Sequence, residues 1–142
     1  MSQSVSISLY ALRITRRRTS DPLPVATFDG TTDLYDLIYK FLIQHQGNSI
    51  DIKGGTRSVY ITNDLNKSDR IIQGQVEVGN SGFTASIKDI QTGQENYQQK
   101  VTEAAMIPLH FRFWIPKDQL FGLTAMQHFG DAGCKTALSN II

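Results

Sequence analysis

The chain has 142 residues, 40% of them hydrophobic and 19% charged, and carries a net charge of +1 at neutral pH. That length suits one domain with a sizeable core, and that composition excludes disorder. The near-neutral balance excludes a whole-molecule field that would draw the protein to nucleic acid or to an anionic membrane, so any such attraction must come from a local patch.

A single cysteine, Cys134, excludes an internal disulfide and fits a reducing compartment. The N-terminal residues Met1-Ser2-Gln3-Ser4-Val5 lack the charged start and apolar core of a secretion signal. No run approaches the roughly 18 apolar residues that cross a bilayer. A cytoplasmic protein without membrane attachment is the expectation.

In chain order, Val5, Ile7, Leu9 and Ala11 alternate with Ser4, Ser6, Ser8 and Tyr10, which predicts a first strand burying its apolar face. Arg13 and Arg16-Arg17-Arg18 follow, and then Ser20-Asp21-Pro22-Leu23-Pro24, whose prolines make it a loop. Thr31-Thr32-Asp33 offers an N-cap, and Leu34, Leu37, Ile38, Phe41 and Leu42 repeat at helical spacing, which predicts a helix over 33–46 ended by Gly47. A short strand over 59–62 and a turn over 63–67 come next. Ile72, Gly74, Val76 and Val78 alternate with glutamines and Glu77, Gly79-Asn80-Ser81-Gly82 turns the chain, and Phe83, Ala85 and Ile87 alternate again. This predicts a β-hairpin. Gln91-Thr92-Gly93-Gln94 turns into a weakly apolar strand with Tyr97 and Val101.

The C-terminal third carries the clearest pattern. Leu109, Phe111, Phe113 and Ile115 share one strand face; His110, Arg112 and Trp114 share the other. A turn over 116–119 predicts a second hairpin with Trp114 opposite Phe121 and Arg112 opposite Leu123. A Gly-rich bend and a short C-terminal helix close the chain. The expected fold class is α+β, a single domain of six or seven mostly antiparallel strands packed by one long helix.

Three constellations bear on function. Arg13, Arg16, Arg17 and Arg18 put four guanidinium groups in six positions, a pattern suited to bidentate contact with nucleic-acid phosphates and also to a solvated strand end. The His110, Arg112 and Trp114 face could stack a base. Because Phe121, Leu123 and Met126 lie across the hairpin, the favoured reading is core or subunit interface, with Trp114, Phe121 and Leu123 as contact residues and Trp114 mostly buried. Gly130-Asp131-Ala132-Gly133-Cys134-Lys135-Thr136 resembles a phosphate loop in which Cys134 and Phe129 occupy the places of its glycines. Too little chain follows for a magnesium-holding strand, which argues against nucleotide hydrolysis. Gly133, Lys135 and Thr136 stay as a candidate anion site at a helix start.

Cys134 lies beside Lys135 at that start, which would lower its pKa, although a single such cysteine is more often merely buried or incidental. His45, His110 and His128 have no ligand spacing, and no acid–base pair or nucleophile with a partner emerges. No catalytic residue, metal or cofactor is expected.

Ile115-Pro116 opening the turn, Phe121-Gly122, Gln127-His128-Phe129-Gly130 and Gly133-x-Lys135-Thr136 together resemble the N-terminal regions of uncharacterised bacterial proteins from mobile elements and phage-defence loci. The resemblance covers about a quarter of the chain. It implies that the strand–Gly–helix element continues into a further domain and that the setting is antiviral defence in bacteria, and it assigns no catalytic residues. The leading expectation is a non-enzymatic module that contacts RNA or DNA backbone through the arginine cluster. The alternative is a protein-interaction or homo-oligomerisation module built on the C-terminal hairpin.

Overall fold

Alternation along the C-terminal third sets the centre of the fold: Leu109, Phe111, Phe113 and Ile115 are buried, while His110, Arg112 and Trp114 are exposed. The computed structural model describes residues 4–52, 57–130 and 132–141. In chain order the elements are β1 (Val5–Leu12), α1 (Leu34–His45), β2 (Ser49–Ile52), β3 (Arg57–Ile61), β4 (Asn66–Ser68), β5 (Ile71–Asn80), β6 (Ala85–Lys88), β7 (Glu95–Gln99), β8 (Ile107–Trp114), β9 (Gly122–Phe129), β10 (Ala132–Gly133) and α2 (Cys134–Ile141). More strands form than the six or seven expected, because short pieces such as β2, β4 and β10 complete edges that longer strands leave open.

Eight strands make one sheet in the order β1-β9-β8-β5-β3-β2, with β4 beside β5 and β10 beside β9, and every pairing in it is antiparallel. Both helices lie on the same face, α1 over β3 and β5, α2 over β9, β8 and β5. Leu34, Tyr35, Ile38 and Leu42 of α1 and Ala137 and Leu138 of α2 close one core against Ile72, Val76, Leu109, Phe111 and Phe113. The fold is therefore α+β in a single domain. At 12 residues, α1 has ordinary length and is not the long helix expected, and its buried stripe takes Tyr35 and leaves Leu37 outside.

Three further expectations are overturned. First, Val5, Ile7, Leu9 and Ala11 of β1 face solvent, while Ser8, Tyr10 and Leu12 turn toward the helix side. Second, β5 does not form a hairpin with β6. Its edges are taken, one by β8 along Ile71 to Val78 and the other by β3 and β4, so β6 does not join β5 and peels away to pair with β7. At Gly79 the returning chain lies so close that an added Cβ would stand 2.6 Å from the Ala105 carbonyl oxygen, which only glycine allows. Third, the β8–β9 register is shifted by two, with Trp114 opposite Leu123 and Arg112 opposite Ala125. The connection spans 115–121, longer than the expected turn, and an even shift leaves every side chain on its expected face.

One polar cluster ties helix to sheet. Asp33, the N-cap of α1, accepts from the Tyr35 amide at 3.0 Å. Its carboxylate also takes two guanidinium hydrogen bonds from Arg70, at 2.5 and 2.9 Å. Arg70 sits in the left-handed region (φ 68°), and its Nε donates to the Ile115 carbonyl at 2.8 Å while its own carbonyl accepts from the Ile115 amide at 2.9 Å. The guanidinium also stacks 4.6 Å above the Tyr35 ring. One side chain thus joins the start of α1, the start of β5 and the end of β8.

The hydrogen bonds from Arg70 hold the Asp33 carboxyl below its ordinary value of 3.8. Stability from this pair is complete above that value and is lost as pH falls through the depressed folded one. Asp33→Ala removes the cap and leaves a half-buried cation without its partner, an expected cost of about 2–4 kcal/mol in chemical denaturation. Asp33→Asn should flatten the acid limb of the stability–pH curve below about pH 4, and a curve that kept its wild-type slope would contradict the assignment.

Candidate functional site

Two exposed features meet at one end of the sheet. Beyond Leu12 the chain enters a short excursion closed by a Thr15–Pro22 bridge. At its tip the Arg16 carbonyl accepts from both the Thr19 amide and the Thr19 hydroxyl, each at 3.0 Å. Arg18 takes a left-handed conformation (φ 66°), which lets the chain reverse. The return strand is fixed by Leu23 donating to the Ile14 carbonyl at 2.7 Å and Val25 to the Gln119 carbonyl at 3.1 Å. The turn therefore sits on ordered backbone. Arg13, Arg16, Arg17 and Arg18 are all exposed, and among the described residues no carboxylate lies within ion-pairing distance of them.

The second feature is the sheet face that carries no helix. Reading across β1, β9, β8 and β5, one row runs Ala11, Leu123, Trp114, Ile71, the next Leu9, Ala125, Arg112, Gln73, and the next Ile7, Gln127, His110, Gln75. Trp114 is 45% exposed, Phe121 42% and Leu123 37%. The expectation of a core Trp114 is thereby corrected: with both helices on the other face, no described residue covers it. Arg112 donates to the side chain of its cross-strand neighbour Gln73 at 2.6 Å. The β8–β9 ladder ends at the Phe111–Met126 pair, and there the Gln127 side chain accepts the His110 amide at 2.9 Å. The strands part at that point, and a concavity of about 560 Å³ opens, lined by Ile7, Asp64, Gln73, His110, Arg112 and Gln127 among others.

Register brings these features together. Ala11 shares the row that holds Trp114 and Leu12 pairs with Gly122, so Arg13 leaves the sheet two residues beyond that row. At about 4.8 Å per interstrand spacing, two spacings separate Trp114 on β8 from β1, roughly 10 Å.

The candidate anion site looks different in three dimensions. Gly133 belongs to the β10–β9 ladder opposite His128, and the Lys135 ammonium lies 4.6 Å over the Tyr10 ring, turned toward β1. Thr136 is exposed on the first turn of α2. Cys134 is 1% exposed, and burial pushes its thiol up to about 12, opposite in direction to the lowering expected beside a lysine at a helix start. His45 contacts Phe41 on α1, His110 lies on the open face and His128 on β9. Among the described residues no three metal-ligating side chains stand together, and no helix is long and apolar enough to cross a membrane.

A separate ribbon of β6 and β7 projects between β5 and β8. Gly82 donates to the Val101 carbonyl at 2.9 Å at its base, and Ile87, Ile90 and Tyr97 are exposed along it. Comparison with protein-family models, with curated proteins and with solved structures finds no match to this chain.

The buried, protonated thiol sets a simple expectation. In the native state Cys134 should react with an aromatic disulfide reagent only as fast as the domain opens, and should react at once in denaturant. Rapid native labelling would show the thiol to be accessible.

Proposed function

We propose that this domain is a non-enzymatic module that binds single-stranded nucleic acid along the open sheet face, with the arginine turn as its phosphate clamp. The observation that carries the reading is the juxtaposition of four unpaired arginines with an exposed tryptophan on a bare sheet. Guanidinium forks match phosphate oxygens in bidentate geometry, and a half-exposed indole offers a base a stacking surface. Arg112 and His110, two and four residues before Trp114 on β8, add donors along the strand axis. Gln73 and Gln127, beside them on the same face, can meet base edges. Near-neutral glutamines and apolar side chains between the charges favour weak sequence preference. We place such binding in bacterial antiviral defence on the resemblance of the C-terminal quarter alone.

A second reading has its own support. Trp114, Phe121 and Leu123 form a half-exposed apolar cluster at this end of the sheet, with Leu120 47% exposed nearby, the composition of a protein contact.

Oligo(dT) or oligo(U) should quench Trp114 emission with an affinity that falls steeply with salt. Replacing Arg16, Arg17 and Arg18 with Ala should lower the slope of log affinity against log salt by about 2, since each single-strand phosphate contact contributes roughly 0.7. Trp114→Ala should cost about 1–3 kcal/mol of binding at constant salt. Retention unchanged in the triple arginine variant would remove the reading. Nuclease-resistant capture of a protein that Leu123→Asp abolishes would favour the second.

A further inference from the structure

The free edge of β1 is the least protected part of the sheet. The Gly130 amide donates to the Ser4 carbonyl, and the Thr124 hydroxyl to the Tyr10 carbonyl, each at 3.4 Å, so the even-numbered residues turn their backbone groups toward β9. Strand alternation then turns the N–H and C=O of Val5, Ile7, Leu9 and Ala11 to the open side, where no described residue pairs with them. Open edges are ordinarily kept short, charged, kinked or broken by proline. The opposite edge of this sheet obeys: β2 has four residues, and one of them is Asp51. β1 has eight residues in unbroken register, with no charge, proline or bulge. Its outward side chains are apolar as well, with Val5 58%, Ile7 71% and Leu9 73% exposed.

We propose that this edge is filled by the same edge of a second copy of the chain, the two β1 strands pairing antiparallel about a twofold axis at Ser8. A twofold contact requires a strand compatible with its own image. About Ser8, Ile7 meets Leu9 of the second copy and Val5 meets its Ala11, so apolar faces apolar at every open-face position. The outward-turned residues become the hydrogen-bonded pairs, with about eight backbone bonds across the axis, and Ser8 faces Ser8 in a non-hydrogen-bonded position.

Charge selects the same partner and direction. An edge that pairs with its own image can offer opposite charges only if it carries both signs, and β1 carries no charge to repel. Arg13 lies five residues from the axis, so the two copies stand roughly 33 Å apart at about 3.3 Å per residue, well past the screening length of about 8 Å. A parallel pairing would set the two arginine turns side by side. The antiparallel one keeps both open faces on one side of a continuous sheet. An edge contact of this length is at the small end of specific interfaces, so dissociation in roughly the micromolar range is expected.

The test uses the full chain without nucleic acid, so its outcome is independent of the binding reading. Sedimentation from about 1 to about 100 µM should carry the protein from monomer to dimer. Leu9→Lys should raise the dissociation constant at least about tenfold with unchanged circular dichroism. Ser8→Cys should form a disulfide-linked dimer under mild oxidation, because residues opposed in a non-hydrogen-bonded pair have Cα atoms about 4.5 Å apart, within disulfide reach. Ser6→Cys should not, since the two Ser6 positions would be four residues, roughly 13 Å, apart. Buried Cys134 leaves the background low. A chain that stays monomeric throughout overturns the proposal. So does crosslinking at Ser6 without Ser8, or a dimer that neither Leu9→Lys nor Ser8→Cys affects.

Discussion

Two helices and one large sheet leave a geometric remainder. α1 and α2 both pack on the same face, over different strands, and together they dry that side from β3 to β9. Nothing in the described chain is left to cover the other side. Each central strand therefore keeps one phase of its alternation in the core and shows the other to water: buried Ile72, Val76 and Val78 against half-exposed Gln73, Gln75 and Glu77 in β5, buried Leu109, Phe111 and Phe113 against exposed His110, Arg112 and Trp114 in β8. The Arg70–Asp33 pair makes this arrangement rigid where α1 begins, since it fixes the helix start to both β5 and the end of β8. Replacing such a half-buried pair with apolar groups of matching shape could leave stability unchanged, while breaking it from one side cannot. Its value lies in setting the angle of the helix.

Elements whose pattern is local were legible in the sequence. The Asp33 cap, the Gly47 stop and the alternation of β5 and β8 follow from spacing alone, and the structure has them. What failed depends on partners distant in sequence. β1 carries apolar residues on both phases near its end, with Tyr10 and Leu12 against Leu9 and Ala11, so alternation cannot say which face meets the helices. α2, more than a hundred residues later, decides it: Tyr10 is drawn inward under the Lys135 ammonium, and Ile7 and Leu9 are turned out. The expected hairpin of β5 with β6 failed for a related reason. Turn-forming residues stand at 79–82, yet Gly79 and Asn80 stay in β5 and pair with β3, and β8 and β3 fill the edges with longer and more apolar strands.

Site legibility divides along the same line. Four arginines in six positions form a cluster whatever the fold does, and the excursion that carries them has no apolar reason to be buried. The face around Trp114 was misread because aromatic and aliphatic residues stand on both sides of the C-terminal hairpin, so a doubly buried strand was an equally consistent solution. Cys134 turned on one quantity that the sequence does not contain, its burial. A helix N-terminus and a lysine next door favour thiolate, but each is worth little once desolvation penalises the charged form.

The charge distribution then limits how the open face can act. Fourteen basic and thirteen acidic residues nearly cancel, so beyond roughly one screening length, about 8 Å at physiological ionic strength, the molecule is close to neutral. The arginine turn cannot steer a distant polyanion; it can only hold one already in contact. Between the turn and the far end of β1 the surface carries Arg112 and His110 singly, set among glutamine, alanine and aliphatic side chains that neither repel nor strongly retain phosphate. A single copy thus offers one strong anchor and a weak track. Affinity for an extended strand would have to come from linking anchors, because two clamps on one continuous surface convert the second contact into an intramolecular event. The uncharged edge of β1 and the charged turn beyond it are then complementary parts of one surface, the first free to meet its own image because the second lies outside it.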